Sequence, residues 1–236
     1  MSIAADLAPS GVLRASINLG NPVLAQGTAD APSGVTVDIA HELGRRLGLP
    51  VEFICFDAAR KSFEALTSGL ADICFLAIEP ARAAEVSFTA PYALIEGVFA
   101  VRADSPLLSV SDVDRSGVRI GVKQGSAYDL YLTRTLRHAT IVRGVEGTAV
   151  FQSESLDVAA GIRQPVTDFV AGQSGLRVID EAFMLIQQAV GATKARGPET
   201  VQFLHAVVED LKASGFVAES LLRSHQLSAR VAPAAS

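Results

Sequence analysis

Two patterns of apolar and polar positions alternate along the chain, one typical of short buried strands and one typical of helices that cover a sheet. In residues 35–47, Ile39, Leu43 and Leu47 recur every four residues while charged side chains occupy the other face, which predicts an amphipathic helix. Residues 71–78 (ADICFLAI) are apolar at nearly every position, as expected for a parallel strand covered on both faces. The chain is therefore predicted to be built from strand–helix units.

The same criteria locate the other elements. Strands are predicted at 12–18, 51–56, 71–78, 99–101, 118–122, 141–142, 156–162, 176–179 and 183–190. Helices are predicted at 35–47, at 58–68 with Asp57 as its cap, at 126–136, near Pro165, from Pro198, and at 216–224. The tail from Leu227 is rich in Ala, Ser and Pro and is expected to fray.

Repeated strand–helix units imply an α/β fold with parallel sheets. Two series of such units, divided by short crossings, imply two lobes with a cleft between them. We assign residues 1–101 and 191–236 to a discontinuous lobe one, and residues 102–190 to lobe two.

Composition excludes several classes of protein. The chain is 49% hydrophobic and 19% charged with a net charge of −5, which argues against disorder and against nucleic acid as a partner. Cys55 and Cys74 are the only thiols, and both lie in apolar runs, which predicts buried free thiols and requires no disulfide. No metal-binding spacing is present, so we expect neither a metal nor another cofactor.

The first residues, MSIAADLAPSGVLRAS, contain neither the basic segment nor the apolar core of a signal peptide. No apolar run approaches the roughly 18 residues that a membrane span needs. These features predict a cytoplasmic location for the chain as given, and a periplasmic one if a leader was removed from it.

Loops that follow the predicted strands hold the candidate ligand contacts, because ligands of open α/β sheets bind beyond the carboxyl ends of the strands. Arg82 follows the strand at 71–78, and its guanidinium could hold a carboxylate through two parallel hydrogen bonds. The alternative is an ordinary surface arginine, since arginine is usually exposed.

Other loop residues admit the same two interpretations. Gln124 and Ser126 flank a glycine at a predicted helix start, which suits an anion, although Ser126 could simply cap the helix. Asn18 and Asn21 could hydrogen-bond a polar ligand or only form a turn.

Arg60 and Lys61 stand at another helix start, where the helix dipole disfavours cations. That local conflict suggests a ligand role for them. The alternative is that both are solvated charges.

Five segments of the chain have a distinctive order of residues: GVTVDIAHELGRRLG from Gly34, ALTSGLADI from Ala65, AIEPARAAEVSFTAPY from Ala77, GVKQGS from Gly121, and GATKARGPETVQFLHAVVEDLKASG near the C-terminus. Through these segments the chain resembles family 3 extracellular solute-binding proteins, the amino-acid-binding components of ABC importers, over roughly residues 11–224. The third segment is long and specific.

The resemblance implies a type II periplasmic-binding-protein-like fold. It has two α/β lobes, each a mostly parallel sheet flanked by helices, joined by two crossing strands. It implies a non-enzymatic, monomeric binding protein that closes on a small carboxylate-bearing ligand and delivers it to an ABC permease. By position, Arg82 falls on the arginine that clamps the ligand's α-carboxylate, and Ser126 falls on the hydroxyl that shares this task. Asn18 falls near the residue that meets the ligand's amino group, as does Gly161 or Ile162.

This chain also departs from the family pattern. Glu79 replaces the usual Thr or Ser three residues before the arginine. Asn21 stands where an aromatic residue often packs on the ligand side chain, and Ala59 or Arg60 stands where a second one is common. Arg163 lies near the position of an acid that has no clear counterpart here. The expected ligand is therefore polar, and need not be a standard α-amino acid.

Two alternative functions compete with solute import. One is a cytoplasmic ligand sensor or scavenger on the same fold. The other is an enzyme resembling cyclohexadienyl dehydratases, with Glu79 as its general acid. A general acid must keep its proton until it reacts, and an arginine three residues away works against that.

Overall fold

In the computed structural model, which describes residues 2–235, the chain forms two compact units. The first comprises the described residues up to Leu94 and those from Gln187 onward, and the second comprises Ile95–Ile186. The chain changes unit within two strands of 10 residues each.

The elements follow one another mostly as alternating strands and helices. The chain up to the first change of unit forms α1 (Ile3–Leu7), β1 (Leu13–Asn18), β2 (Gln26–Thr28), β3 (Ala31–Ser33), α2 (Val35–Leu47), β4 (Val51–Phe56), α3 (Ala59–Thr67), β5 (Ile73–Ala77), α4 (Pro80–Ala83), β6 (Val86–Phe88) and β7 (Ala93–Arg102). The middle of the chain forms β8 (Arg119–Lys123), α5 (Ala127–Thr135), β9 (Thr140–Gly144), α6 (Gly147–Ser153), β10 (Val158–Ile162), α7 (Arg163–Ala171) and β11 (Leu176–Val178). The remainder forms β12 (Met184–Thr193), α8 (Pro198–Ala213), α9 (Phe216–Arg223) and β13 (Arg230–Val231).

In the first unit, β1 lies between β4 and β5 and pairs in parallel with both. The strand β12 adds to β5 in the antiparallel sense, and β6 adds to β12. Every residue of β5 is buried, which confirms the prediction of a strand covered on both faces. Cys74 on β5 is fully buried and Cys55 on β4 is half-buried, and both thiols are free.

The helix predicted at 35–47 is confirmed as α2. It buries Ile39, Leu43 and other apolar residues, and Gly48 ends it in the left-handed region with φ 66°, where glycine is favoured. The helix α1 and the hairpin β2–β3, by contrast, were not predicted.

A carboxylate of α1 caps α8, although the two helices are far apart in sequence. Asp6 accepts hydrogen bonds from the Gly197 backbone N–H at 2.8 Å and from the Thr200 hydroxyl at 2.5 Å. The Arg196 guanidinium donates to the Asp6 carbonyl oxygen at 2.6 Å. These contacts satisfy N–H and hydroxyl groups at the start of α8 and attach the N-terminal segment to it.

In the second unit, β8 lies between β9 and β10 and pairs in parallel with both, while β7 and β11 add in the antiparallel sense. The core on one side contains Val98, Phe151 and Leu156. Gly147, at the start of α6, allows the helix to approach the sheet closely, since a Cβ there would lie 2.5 Å from the Ala160 carbonyl oxygen.

Two local predictions are wrong. Asp57 does not cap α3, whose N-cap is Ala58; the Asp57 carboxylate instead contacts the Lys61 ammonium at 2.7 Å. The tail predicted to fray is held in place: β13 pairs with Ala93 and Leu94 of β7, and Ala232 is only 3% exposed. Its backbone pairing depends on a strand distant in sequence, so composition alone does not reveal it.

Candidate functional site

The carboxyl ends of β1, β4 and β5 lie at one edge of the first unit's sheet, because the three strands are parallel neighbours. The last residue of β1 and the segments that follow the three strands contain Asn18, Asn21, Arg60, Lys61, Glu79 and Arg82. The second unit has an edge of the same kind, where the parallel strands β8, β9 and β10 end. The segments that follow these strands contain Gln124, Ser126 and Arg163. All nine predicted site residues therefore lie at or after the carboxyl ends of parallel strands, where α/β proteins bind ligands.

Arg82 lies on α4 and is buried, only 4% exposed. Its guanidinium donates a hydrogen bond to the Ala77 carbonyl oxygen at 3.2 Å, at the end of β5. Burial lowers the pKa of Arg82 from its ordinary value, while the nearby Cys74 and Glu79 act in the opposite direction. The alternative of a surface arginine is thus excluded: the chain holds this cation inside the protein.

Glu79 is the N-cap residue of α4 and is also buried, 3% exposed. Its carbonyl oxygen accepts hydrogen bonds from the backbone N–H groups of Arg82 at 2.9 Å and Ala83 at 2.8 Å. Its carboxylate raises the pKa of Arg82, because the two opposite charges attract each other. Glu79 and Arg82 therefore form a buried couple of opposite charges within one short turn of helix.

Asn18 and Asn21 use their side chains differently. The Asn18 Oδ1 accepts a hydrogen bond from the Gly20 backbone N–H at 3.1 Å, so this side chain forms a turn. Asn21 is 7% exposed, and its Oδ1 has no hydrogen-bond partner among residues 2–235. Only Asn21 thus holds a buried polar atom that the turn does not use.

Arg60 and Lys61 each contact an acid on their own helix or next to it. The Arg60 guanidinium lies 3.7 Å from the Glu64 carboxylate, and the Lys61 ammonium lies 2.7 Å from that of Asp57. Arg60 and Glu64 are largely exposed, at 46% and 65%, which suits solvated charges. The unfavourable position of two cations at a helix start is offset by these neighbouring acids. That position therefore gives no separate indication of a ligand role.

Ser126 caps α5, since its hydroxyl oxygen accepts a hydrogen bond from the Asp129 backbone N–H at 3.1 Å. The Asp129 carboxylate in turn accepts from the Gly125 N–H at 2.8 Å. Gln124 is exposed, and its backbone N–H donates to the Gly144 carbonyl oxygen at 3.0 Å. Capping is thus observed at this helix start, and one N–H group of the preceding turn, that of Gly125, is bonded to a carboxylate of the protein itself.

Arg163 begins α7 and is paired with an acid that sequence reasoning missed. Its guanidinium donates to the Glu96 carboxylate and, at 2.7 Å, to the Asp180 carbonyl oxygen. Glu96 lies on β7, whose next residue Gly97 pairs with Ile162. The register of two strands far apart in sequence creates this pair, so no local pattern marks Glu96.

A second pair at the same edge was also missed. Lys123, the last residue of β8, is buried, and its ammonium is hydrogen-bonded to the Glu146 carboxylate in the loop after β9. Tyr128 is buried nearby; burial raises its pKa, and Glu146 adds to that effect. A lysine directly after an apolar strand is the only signal that could have drawn attention to this position.

The described residues provide neither a metal site nor a membrane-spanning helix. Among residues 2–235, no group of three or more His, Cys, Asp and Glu side chains is placed to hold a metal ion. Within that range no helix is both long and apolar enough to cross a membrane.

Two α/β units with polar loops at the carboxyl edges of their parallel strands define a class of ligand-binding proteins, the type II periplasmic binding proteins. The chain belongs to the bacterial extracellular solute-binding proteins of family 3, whose family model matches residues 17–223. The resemblance and the fold class predicted from the sequence are thereby confirmed. A search of curated protein sequences found no match.

Solved structures share the fold. An amino acid ABC transporter substrate-binding protein from Streptococcus pneumoniae, bound to L-arginine, is 16% identical with a TM-score of 0.76, over 98% of this chain and 100% of that chain. The cysteine-binding protein from Campylobacter jejuni is 20% identical with a TM-score of 0.76, over 95% and 93%. An ancestral amino-acid-binding protein, a precursor of cyclohexadienyl dehydratase, is 21% identical with a TM-score of 0.74, over 94% and 98%. At these identities the likeness establishes the fold, and the ligand of this chain is a separate question.

Proposed function

We propose that this protein binds a small amino acid or amino acid derivative for an ABC importer, and that Arg82 holds the ligand's carboxylate. The observation that carries the proposal is the burial of Arg82 just beyond the carboxyl end of β5, within the long segment from Ala77 that resembles the family. Burying a cation is costly unless a partner compensates for it. An anionic ligand group would therefore stabilise the buried guanidinium at the edge of the sheet where the parallel strands end.

Glu79 defines the electrostatics of this contact. It is buried like Arg82 and opposes its charge, so a ligand carboxylate has to share the guanidinium with Glu79. An arginine can serve two carboxylates because its five N–H donors point in several directions. We propose that Glu79 lowers the affinity for carboxylates and so favours ligands that carry a compensating positive charge elsewhere.

Ser126 is retained in the proposal as a ligand contact in addition to its capping role. Gln124, Arg163, Asn18, Arg60 and Lys61 remain candidates of lower rank, because none of them is buried as Arg82 and Ser126 are. A polar side chain in contact with water gains less from a ligand group, since it exchanges one hydrogen bond for another.

The test is a binding experiment with matched ligands. Thermal-shift assays and calorimetry are run with amino acids and with the amines that lack their carboxylates, such as arginine against agmatine. A ligand at 100 times its Kd adds about 2.7 kcal/mol of stability, which shifts the Tm by roughly 5–10 °C for a chain of this size. We expect the wild-type protein to bind an amino acid and to reject the matching amine.

Variants of Arg82 separate binding from folding. Arg82→Lys keeps the charge but loses the planar fork, and should weaken carboxylate binding by about tenfold or more. Arg82→Ala should abolish binding and the discrimination against the amine. The exposed Arg45 is a matched control, since Arg45→Ala removes an arginine from the outer face of α2. Normal binding by a folded Arg82→Ala protein would overturn the proposal.

The dehydratase alternative is tested on Glu79. Glu79 is 3% exposed and lies in one short turn of helix with a buried cation, Arg82, whereas general-acid catalysis needs a side chain that is free to deliver a proton to the substrate. We therefore propose that the protein is not an enzyme and expect no turnover of prephenate or arogenate. Turnover by the wild type that is lost in Glu79→Gln would establish the enzyme instead.

The location of the protein is part of the same proposal. Proteins of the family are extracellular, and we propose that this protein works outside the cytoplasm. Fractionation of cells that express the complete gene checks this, and retention in the cytoplasm would favour the sensor or scavenger.

A further inference from the structure

Asn21 contains a buried hydrogen-bond acceptor that the protein does not use. The residue is 7% exposed, and its Oδ1 has no partner within the described residues. Its neighbour in the same turn differs, since the Asn18 Oδ1 accepts the Gly20 N–H at 3.1 Å.

The turn does not require the Asn21 amide. The backbone of Asn21 already forms the turn by itself: its N–H donates to the Asn18 carbonyl oxygen at 3.2 Å, and its carbonyl oxygen accepts from Leu24 at 3.1 Å and Ala25 at 3.0 Å. Buried acceptors without a partner are rare in proteins and costly. An aliphatic side chain would avoid this cost, and the unused acceptor is available to a group from outside the chain.

Asn21 lies at the same edge of the first unit's sheet as Arg82, where the parallel strands β1, β4 and β5 end. Ser16 on β1 is paired with Cys74 on β5, and the two neighbouring parallel strands end at Asn18 and Ala77, so the turn with Asn21 and the turn with Glu79 leave the sheet at the same edge. The loop that contains Arg82 begins at Glu79. Asn21 therefore follows the same edge of the sheet as the proposed carboxylate contact.

We propose that Asn21 determines specificity, its Oδ1 accepting a hydrogen bond from an N–H group in the ligand's side chain. The ligand is then an amino acid with a guanidinium, ammonium or amide group, selected over an aliphatic one of equal length. This inference rests on the proposed function, because it takes amino acid binding at this edge as given.

The experiment compares ligands that differ only in the side-chain donor. Lysine and norleucine share a carbon skeleton, and only lysine has a terminal ammonium. Calorimetry with arginine, lysine, glutamine and norleucine measures their Kd values on the wild-type protein. A hydrogen bond from a charged donor should make the best donor-bearing ligand bind about tenfold or more tightly than norleucine.

Three variants test the role of the acceptor. Asn21→Leu should bring the ratio of the two Kd values close to one, while the protein stays folded with an unchanged or higher Tm. Asn21→Asp, which presents only acceptors, should keep or increase the preference for arginine and lysine. Gln26→Ala is the matched control in the same segment, because the Gln26 amide is already bonded to the protein: it donates to the Pro22 carbonyl oxygen at 2.6 Å. This variant should leave the ratio of the two Kd values unchanged.

The outcomes separate the inference from the function on which it rests. If the wild type binds norleucine as tightly as lysine, or if Asn21→Leu keeps the wild-type ratio, amino acid binding stands and the role of Asn21 is refuted. A lower Tm of Asn21→Leu with an unchanged ratio would show that the amide stabilises the fold, for example through an ordered water, and does not bind the ligand. If no amino acid shifts the wild-type Tm, the proposed function fails, and the inference fails with it.

Discussion

Arg82 and Glu79 illustrate how two side chains in one short helix can set the polarity of a binding edge. Each is buried, and each carries a charge that would be costly alone. Their attraction offsets part of the cost of burying both charges. The positive charge of the guanidinium is therefore partly balanced before any ligand binds. The affinity for an anion therefore depends on Glu79 as much as on Arg82.

Replacing Glu79 by glutamine tests this balance. Glu79→Gln keeps the size of the side chain but removes the negative charge beside Arg82. We expect affinity for carboxylate ligands to rise by about tenfold at most, since a like charge near a site costs on the order of 1 kcal/mol in a partly screened environment. Calorimetry with glutamine, whose side chain carries no charge, measures the change, and Asp104→Ala, which removes an exposed acid elsewhere, is the control. Weaker binding would mean that Glu79 contacts a cationic part of the ligand.

At the scale of elements, helix starts in this fold are stabilised by side chains from two kinds of source. Ser126 caps its own helix α5, a contact that a local sequence pattern can predict. Asp6 caps α8 from a different helix, and no pattern within α8 indicates it. Both contacts satisfy N–H groups that a helix leaves unpaired at its start.

The cap on α8 makes a part of the stability depend on pH. The hydrogen bond from Thr200, followed by that from Gly197, lowers the pKa of Asp6 below its ordinary value of 3.8. A carboxyl group with a lowered pKa stabilises the folded state above that ordinary value, and its contribution is lost as the pH falls through the folded-state pKa. The contribution is therefore complete at neutral pH and absent in strong acid.

Asp6→Ala measures this contribution. At pH 7 the variant should lose about 1 kcal/mol, typical of a helix cap, or roughly 2–4 °C in Tm. The difference from the wild type should shrink as the pH falls below about 4. Thermal melts at several pH values check both statements, and Asp6→Asn, which keeps one oxygen acceptor, should lose less. A difference that is constant with pH would exclude the ionised carboxylate as its source.

At the scale of the whole molecule, both ends of the chain are tied into the first unit. Asp6 attaches the N-terminal helix to α8, and β13 attaches the C-terminal tail to β7. The Ala232 N–H donates to the Tyr92 carbonyl oxygen at 3.1 Å. These contacts attach the first and the last described segments to the rest of the first unit.

Removal of the tail tests whether these contacts matter. Deleting residues 227–236 removes β13 and exposes part of β7, and should cost about 2–3 kcal/mol from lost hydrogen bonds and apolar burial. The Tm should fall by roughly 5–10 °C. A shorter deletion of residues 234–236 keeps β13 and is the matched control. Equal Tm values for both deletions would show that the tail contributes nothing.

Much of the fold was predictable because its signals are local. The apolar repeat of α2, the uniformly apolar β5 and the proline at the start of α8 each lie within one element. The loop of Arg82 follows directly from the end of β5. Physical rules on helix periodicity, burial and capping act over a few residues, so they can be applied to the sequence alone.

The sequence by itself thus determined the α/β units, the family and the loops that carry polar residues. Only the tertiary structure decided that Glu96 pairs with Arg163, that Asp6 caps α8, that the tail forms β13, and that Asn21 keeps an unused acceptor. Each of these depends on strand register or helix docking between segments far apart in the chain. Such contacts arise from the packing of complete elements, so patterns within a few residues do not predict them.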